Sequence, residues 1–166
     1  MFNRSNNRDS TALLSSDLYD EHSFFARFSK DVKYAMAEVV IESPFITIKR
    51  ATEFAALCAK LTDRGVLVYI LTRNPNHHDS TLRNQAFTGI RILRDVGAIV
   101  TTHNDLRHRK FAVIDREILW EGSMNMLSHS NSLELMRRLN SSDMCKQLLN
   151  FTSVMKDLKW YNRVKT

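Results

Sequence analysis

His108-Arg109-Lys110-Phe111-Ala112-Val113-Ile114-Asp115-Arg116-Glu117-Ile118-Leu119-Trp120-Glu121-Gly122-Ser123-Met124-Asn125 holds two alternating apolar runs around a polar break. Phe111 and Val113, then Ile118 and Trp120, recur at every second position, which is the period of a β-strand. Asp115-Arg116 interrupts the alternation, and Asp is a good turn former. The stretch predicts a hairpin, with strands over about 108–114 and 117–121 and a turn at 115–116.

A symmetric turn fixes the register. Ile114 then faces Glu117, Lys110 faces Glu121, and His108 faces Ser123. Opposed residues share a face of the sheet, as do residues two apart on one strand. His108, Lys110 and Ser123 are therefore expected on one surface, with Asn125 close by. Phe111 and Val113 point the other way, toward a core. A one-residue bulge would reverse this assignment.

That patch suits a phosphodiester. Lys110 can hold a non-bridging oxygen as a point charge. Ser123 and Asn125 can donate hydrogen bonds to a phosphoryl group. Gly122 lets backbone approach closely. Imidazole transfers protons near neutral pH and can form a covalent intermediate, so His108 is the candidate nucleophile.

The pattern His-x-Lys-x4-Asp-x6-Gly-Ser-x-Asn resembles the signature of the phospholipase D superfamily, and His108, Lys110, Asp115, Gly122, Ser123 and Asn125 match it without a gap. The flanking text, Leu119 to Ser123 and on to Leu127-Ser128-His129, is most similar to phospholipase D-like nuclease domains found with helicases and restriction systems. The wider resemblance covers about residues 20–160. Glu134 sits where that family usually places an acidic residue after the Asn. It reads equally as ordinary strand charge or as a carboxylate orienting the His108 ring. Asp115 has the wrong strand parity to join the patch, so a turn or ion-pair role stands beside a chemical one.

The chain has 166 residues, enough for one domain with a real core. Residues 1–16 read as a flexible polar arm, without the apolar run of a signal peptide, and 17–166 as a single domain. The formal net charge of +6 favours polyanionic partners. Cys58 and Cys145 read as reduced core residues of a cytoplasmic protein. No Cys-x-x-Cys spacing suggests a metal, and His77-His78-Asp79 reads as a solvated loop.

A helix is expected to start near Asp17, where acidic residues crowd the first turn. Val39-Val40-Ile41 reads as a buried strand that exits past Ser43-Pro44-Phe45. A helix over about 51–63 closes at Gly65, and Val66–Leu71 is a central strand. Arg73 follows at its end, a frequent place for ligand residues, and is a candidate phosphate contact. Residues 81–96 form a helix and 98–100 a short strand. Arg107 and Arg109 are candidate contacts to a nucleic-acid backbone. A strand over 133–139 carries Glu134, and a last helix starts near Ser141 with Met144, Leu148, Phe151, Met155 and Leu158 on one face. The tail from Lys156 to Lys165 is basic and carries Trp160 and Tyr161.

The expected fold class is α/β, a mixed β-sheet flanked by helices on both faces. The hairpin makes the sheet mixed, and the resemblance implies the same sandwich. The resemblance further implies a metal-independent phosphodiesterase without cofactor, above all a nuclease working through a phosphohistidine. DNA is placed ahead of RNA as its partner. The superfamily supplies two His-x-Lys motifs per site, and this chain has one, so a homodimer is expected to complete the site. Two alternatives stay open. One is a phospholipase or phosphatidyl transferase, although no membrane segment is visible. The other is a catalytically idle DNA-binding or dimerisation module of a larger helicase or restriction assembly.

Overall fold

One mixed sheet of seven strands organises the computed structural model, which describes residues 16–128 and 132–156. The strands are β1 (Ser16–Asp20), β2 (Glu38–Glu42), β3 (Leu67–Arg73), β4 (Ile99–His103), β5 (Phe111–Ile114), β6 (Ile118–Gly122) and β7 (Leu135–Asn140), in spatial order β1-β7-β6-β5-β2-β3-β4. β2, β3 and β4 run parallel, and every other neighbour pair is antiparallel. Helices α1 (Phe24–Lys33), α2 (Ile48–Thr62) and α3 (Ser80–Asp95) supply the crossovers, and α4 (Ser142–Phe151) closes the described chain.

Both faces of the sheet are covered, as expected for this class. Phe24, Phe28 and Val32 of α1, Cys58 and Leu61 of α2, and Ile90 and Leu93 of α3 pack one face, against Val39, Ile41, Ala112, Ile114 and Trp120. Cys145 and Leu149 of α4 cover the other, against Val40, Leu71, Phe111, Val113 and Leu119. Double coverage explains why β2, β3 and β5 are nearly continuous apolar runs. Cys58 and Cys145 are free and buried, and burial pushes each thiol up to about 11.

The hairpin is present but shifted by one residue. Asp115 and Arg116 both adopt left-handed backbone, with φ of 52° and 56°, and the Glu117 N–H donates to the Ile114 carbonyl at 3.0 Å. Ile114 nevertheless pairs with Ile118, so Glu117 is an extra residue between turn and strand. Phe111 thus faces Glu121, not Trp120 as the symmetric turn required. Because β6 ends at Gly122, strand parity does not set the side to which Ser123 points.

Asp115 holds the far end of this hairpin. Its carboxylate accepts backbone N–H bonds from Met36, Ala37 and Glu38 at 2.8, 2.8 and 2.9 Å. The bonds tie the turn to the entry of β2, at the opposite edge of the sheet from His108. Asp115→Ala is expected to cost about 1–3 kcal/mol of stability, the range for losing hydrogen bonds to a charged acceptor. Urea denaturation of the purified variant measures it, and an unchanged midpoint would remove this role.

Two terminal expectations are corrected. Ser16–Asp20 is strand β1, not the start of a helix. Its backbone completes the open edge of β7, and Tyr19 packs on Trp120 with ring centroids 4.9 Å apart. The Asp20 carboxylate accepts the N–H groups of His22 and Ser23, forming the turn that precedes α1. In α4 the expected stripe is met only in part, with Met144 and Leu148 half-buried against the core and the fully buried residues one position further on. Cys145 and Leu149 face the sheet, and Phe151 is 84% exposed. The expected arm up to residue 15, His129, Leu158, and the basic residues beyond 156 with Trp160 and Tyr161 lie outside the described residues.

Candidate active site

The strand directions bring distant segments to one edge of the sheet. β2 and β3 leave this edge at Glu42 and Arg73, β5 enters it after Lys110, β6 leaves at Gly122 and β7 enters after Glu134. Phe45, Arg73, His108, Lys110, Ser123 and Glu134 all stand on or beside it.

His108 and Lys110 are in contact. The Lys110 Nζ lies 2.7 Å from His108 Nδ1 and 3.2 Å from Nε2, and it donates to the His108 carbonyl at 2.7 Å. His108 is exposed, whereas Lys110 is only 8% exposed. Loss of water around the ring, then the positive charges of Lys110 and Arg73, hold the imidazole below its ordinary range. Burial also lowers the Lys110 ammonium, with Glu134 opposing the shift and Arg73 adding to it. The pair therefore combines a neutral imidazole with a poorly hydrated cation, a set suited to attack on an anionic ester.

Ser123 and Glu134 join them from the β6–β7 side. The Ser123 N–H donates to the Leu135 carbonyl at 2.9 Å, and its hydroxyl oxygen accepts the Leu135 N–H at 3.0 Å. Hydrogen bonds from the Ser123 and Ser132 hydroxyls, the latter 2.6 Å long, hold the Glu134 carboxyl below the usual carboxylate range. Glu134 is thus bonded to two serines, and it is Lys110 that meets the ring nitrogen of His108. The carboxylate acts on the pair through the charge of Lys110. Asn125 follows Ser123 by two residues, and its Oδ1 is buried without a hydrogen-bond partner.

Gly122 serves the scaffold. Its N–H donates to the Lys110 carbonyl at 3.3 Å. A Cβ there would overlap the Leu135 carbonyl oxygen and stand 2.9 Å from Met136 Cα. The close approach that glycine permits is therefore to β7.

The arginines divide. Arg73 stands beside His108 and Lys110, and its guanidinium donates to the carbonyls of Leu106 and Arg107 at 3.3 and 3.0 Å, shaping the backbone just ahead of His108. Arg107 and Arg109, expected to meet a nucleic-acid backbone, are turned to carboxylates. Arg109 grips the fully buried Glu42 at 2.8 and 3.0 Å. Arg107 pairs with Asp105 at 2.7 Å and with Glu42 at 3.7 Å. A buried carboxylate at the end of β2 needs such partners, which explains their direction. Asp115 is not brought to the site.

Sequence reading missed Glu42, Phe45 and His78. Glu42 and Phe45 occupy the exit of a buried strand, a position that itself signals a site in such sheets. His78 reads in sequence as part of a solvated loop but is 7% exposed, with its ring 5.2 Å from that of Phe45. Among the described residues, no three His, Cys, Asp or Glu side chains form a group able to hold a metal. No described helix is long and apolar enough to cross a membrane.

This sheet order and this edge define a phospholipase D-like domain. The family model described as cardiolipin synthase, PLD-like domain, matches residues 29–155, and the chain belongs to that family. Among solved structures, it is similar to a phospholipase D family member, Nuc from Salmonella typhimurium. That match has a TM-score of 0.68 at 14% identity and covers 83% of this chain and 91% of the other. NucT from Helicobacter pylori matches with a TM-score of 0.69 at 18% identity, over 87% and 96% of the two chains. Phosphatidylserine synthase from Haemophilus influenzae Rd KW20 matches with a TM-score of 0.65 at 14% identity, over 88% of this chain and 38% of the other. No curated protein sequence matches the chain significantly. Identities this low make the structural likeness one of fold.

Proposed function

We propose that this domain is a phosphodiesterase that cleaves nucleic acid, DNA ahead of RNA, through a phosphohistidine on His108. The observation that carries the reading is the exposed His108 imidazole set 2.7 Å from the buried Lys110 ammonium. The net charge of +6 favours a polyanionic substrate over a neutral lipid surface.

In the first step His108 attacks phosphorus, a nitrogen–phosphorus bond forms, and the ester oxygen leaves with a proton from a second acid. Lys110 turns from the ring to a non-bridging oxygen, and Ser123 and Asn125 donate to the oxygens that gain charge. Arg73 adds positive potential. Water then attacks the phosphohistidine, returning free His108 and a phosphomonoester. Glu134 keeps Lys110 charged and Ser123 oriented.

The second acid is assigned to His108 of a second copy. Of the six histidines only His108 has a lysine two residues later. Leu106 and Leu133, beside His108 and Glu134, are 80% and 92% exposed, and a twofold interface at this edge would bury both.

The test is incubation with single- and double-stranded DNA and RNA in excess EDTA, beside phosphatidylcholine vesicles. Nucleic-acid cleavage is expected to persist in EDTA and to weaken steeply as salt rises. Cleavage lost in EDTA and restored by magnesium would reject the histidine mechanism. Headgroup release without nucleic-acid cleavage would reject the substrate.

A further inference from the structure

Phe45 stands where three site side chains meet. Its ring lies edge-on to His108, with centroids 5.9 Å apart and planes at 79°. The His78 ring is 5.2 Å away at 42°, and the Arg73 guanidinium carbon is 5.4 Å from the Phe45 centroid. Lys110 Nζ also meets the exposed His108 imidazole, 2.7 Å from Nδ1 and 3.2 Å from Nε2.

The backbone carrying Phe45 is itself fixed. The Ser43 N–H donates to the Leu71 carbonyl at 3.0 Å, and the Ser43 hydroxyl donates to the Phe45 carbonyl at 3.1 Å. The Thr47 N–H donates to the Leu127 carbonyl at 2.9 Å, tying this loop to the one that carries Asn125. Pro44 restricts the torsions between them. Behind the ring, His78 is buried with its Nε2 unpartnered, and loss of water and the nearby Arg73 charge keep it largely neutral. A neutral His78 adds no second positive charge beside Phe45, where the Arg73 guanidinium already stands.

We propose that Phe45 is a positioning residue, held by the Ser43–Thr47 loop and backed by His78, that fixes the ring plane of His108 for attack on phosphorus. The catalytic part of this inference rests on His108 being the nucleophile. Edge-to-face contacts are strong enough to bias one ring orientation by about tenfold, and a misaligned nucleophile loses rate without losing substrate affinity. Phe45 therefore acts on kcat and not on KM.

The experiment compares Phe45→Leu, which keeps most of the volume, and Phe45→Tyr, which keeps the ring, with wild type. His108 ring signals are followed by NMR across a pH titration, and cleavage of a DNA oligonucleotide is measured alongside. The groups facing His108 during that titration are Lys110 from its own segment, Arg73 from β3 and Phe45 from the loop after β2. In Phe45→Leu the His108 ring protons are expected to lose their ring-current displacement and to show averaging between orientations. kcat is expected to fall about tenfold with KM within about twofold, and Phe45→Tyr to restore both the signals and kcat. Unchanged His108 signals in Phe45→Leu would overturn the proposal whether or not the protein cleaves DNA. A loss confined to KM would overturn it too, by making Phe45 a substrate contact. If wild type cleaves no nucleic acid, the NMR result alone decides the positioning role, and the failure belongs to the proposed substrate.

Discussion

Replacing His108 with alanine is expected to leave the fold intact and to lower turnover by at least about 10,000-fold, the scale on which enzymes lose rate with their nucleophile. The fold should survive because the side chain is exposed and its partners, Lys110 and Phe45, are fixed by other contacts. Circular dichroism and the denaturation midpoint check that half. Single-turnover cleavage checks the other, and near wild-type cleavage by His108→Ala would place the nucleophile elsewhere. Lys110→Ala is expected to cost about 100- to 1,000-fold, the loss typical of one charge-stabilising donor. The wild-type pH profile carries the same chemistry. The His108 imidazole is held low, so its neutral, attacking form persists to more acid pH than an ordinary histidine allows. The acid limb of the rate should therefore lie below the ordinary imidazole range. The second copy's His108 must carry its proton to act as the acid, so the alkaline limb should fall as that imidazole titrates, before Lys110 gives up its own proton.

Mixed dimers are expected to be dead or nearly so. If each reaction uses His108 from both copies, a hybrid of wild type and His108→Ala lacks either nucleophile or acid. With random pairing after joint refolding, activity follows the square of the wild-type fraction, so an equal mixture keeps about one quarter of the wild-type rate. The exposure of Leu106 and Leu133 gives this prediction a second handle. Leu133→Asp should weaken self-association, measured by light scattering, and activity should fall with it. A linear fall in the mixing series, or full activity in a species of monomer mass, would refute the shared site.

Much of this was legible in local sequence. Alternating apolar residues placed β5 and β6, continuous runs placed β2 and β3, and the glycines after α2 and α3 marked their ends, with φ of 80° at Gly65 and 88° at Gly97. These signals are local because periodicity and left-handed backbone are properties of a few consecutive residues. The spacing from His108 to Asn125 likewise marked the candidate chemistry, since one hairpin carries most of it.

Tertiary structure decided the rest. Ser16–Asp20 became a strand because β7 offered it an open edge 115 or more residues away in the chain, which no local propensity records. The hairpin register moved by one residue because the turn at Asp115 is anchored to β2, with Glu117 accommodated as a bulge. Arg107 and Arg109 look like free cations in sequence, but the buried carboxylate of Glu42 claims them once β2 pairs with β5. Phe45 and His78 reach the site only because β2 and β3 run parallel and release their following loops at one edge of the sheet. Sequence alone determined most of the inner strands and helices and marked the candidate chemistry between His108 and Asn125. The pairing of strands distant in the chain determined which charges are spent on one another and which side chains surround His108, because burial and opposed charge are set by neighbours in space.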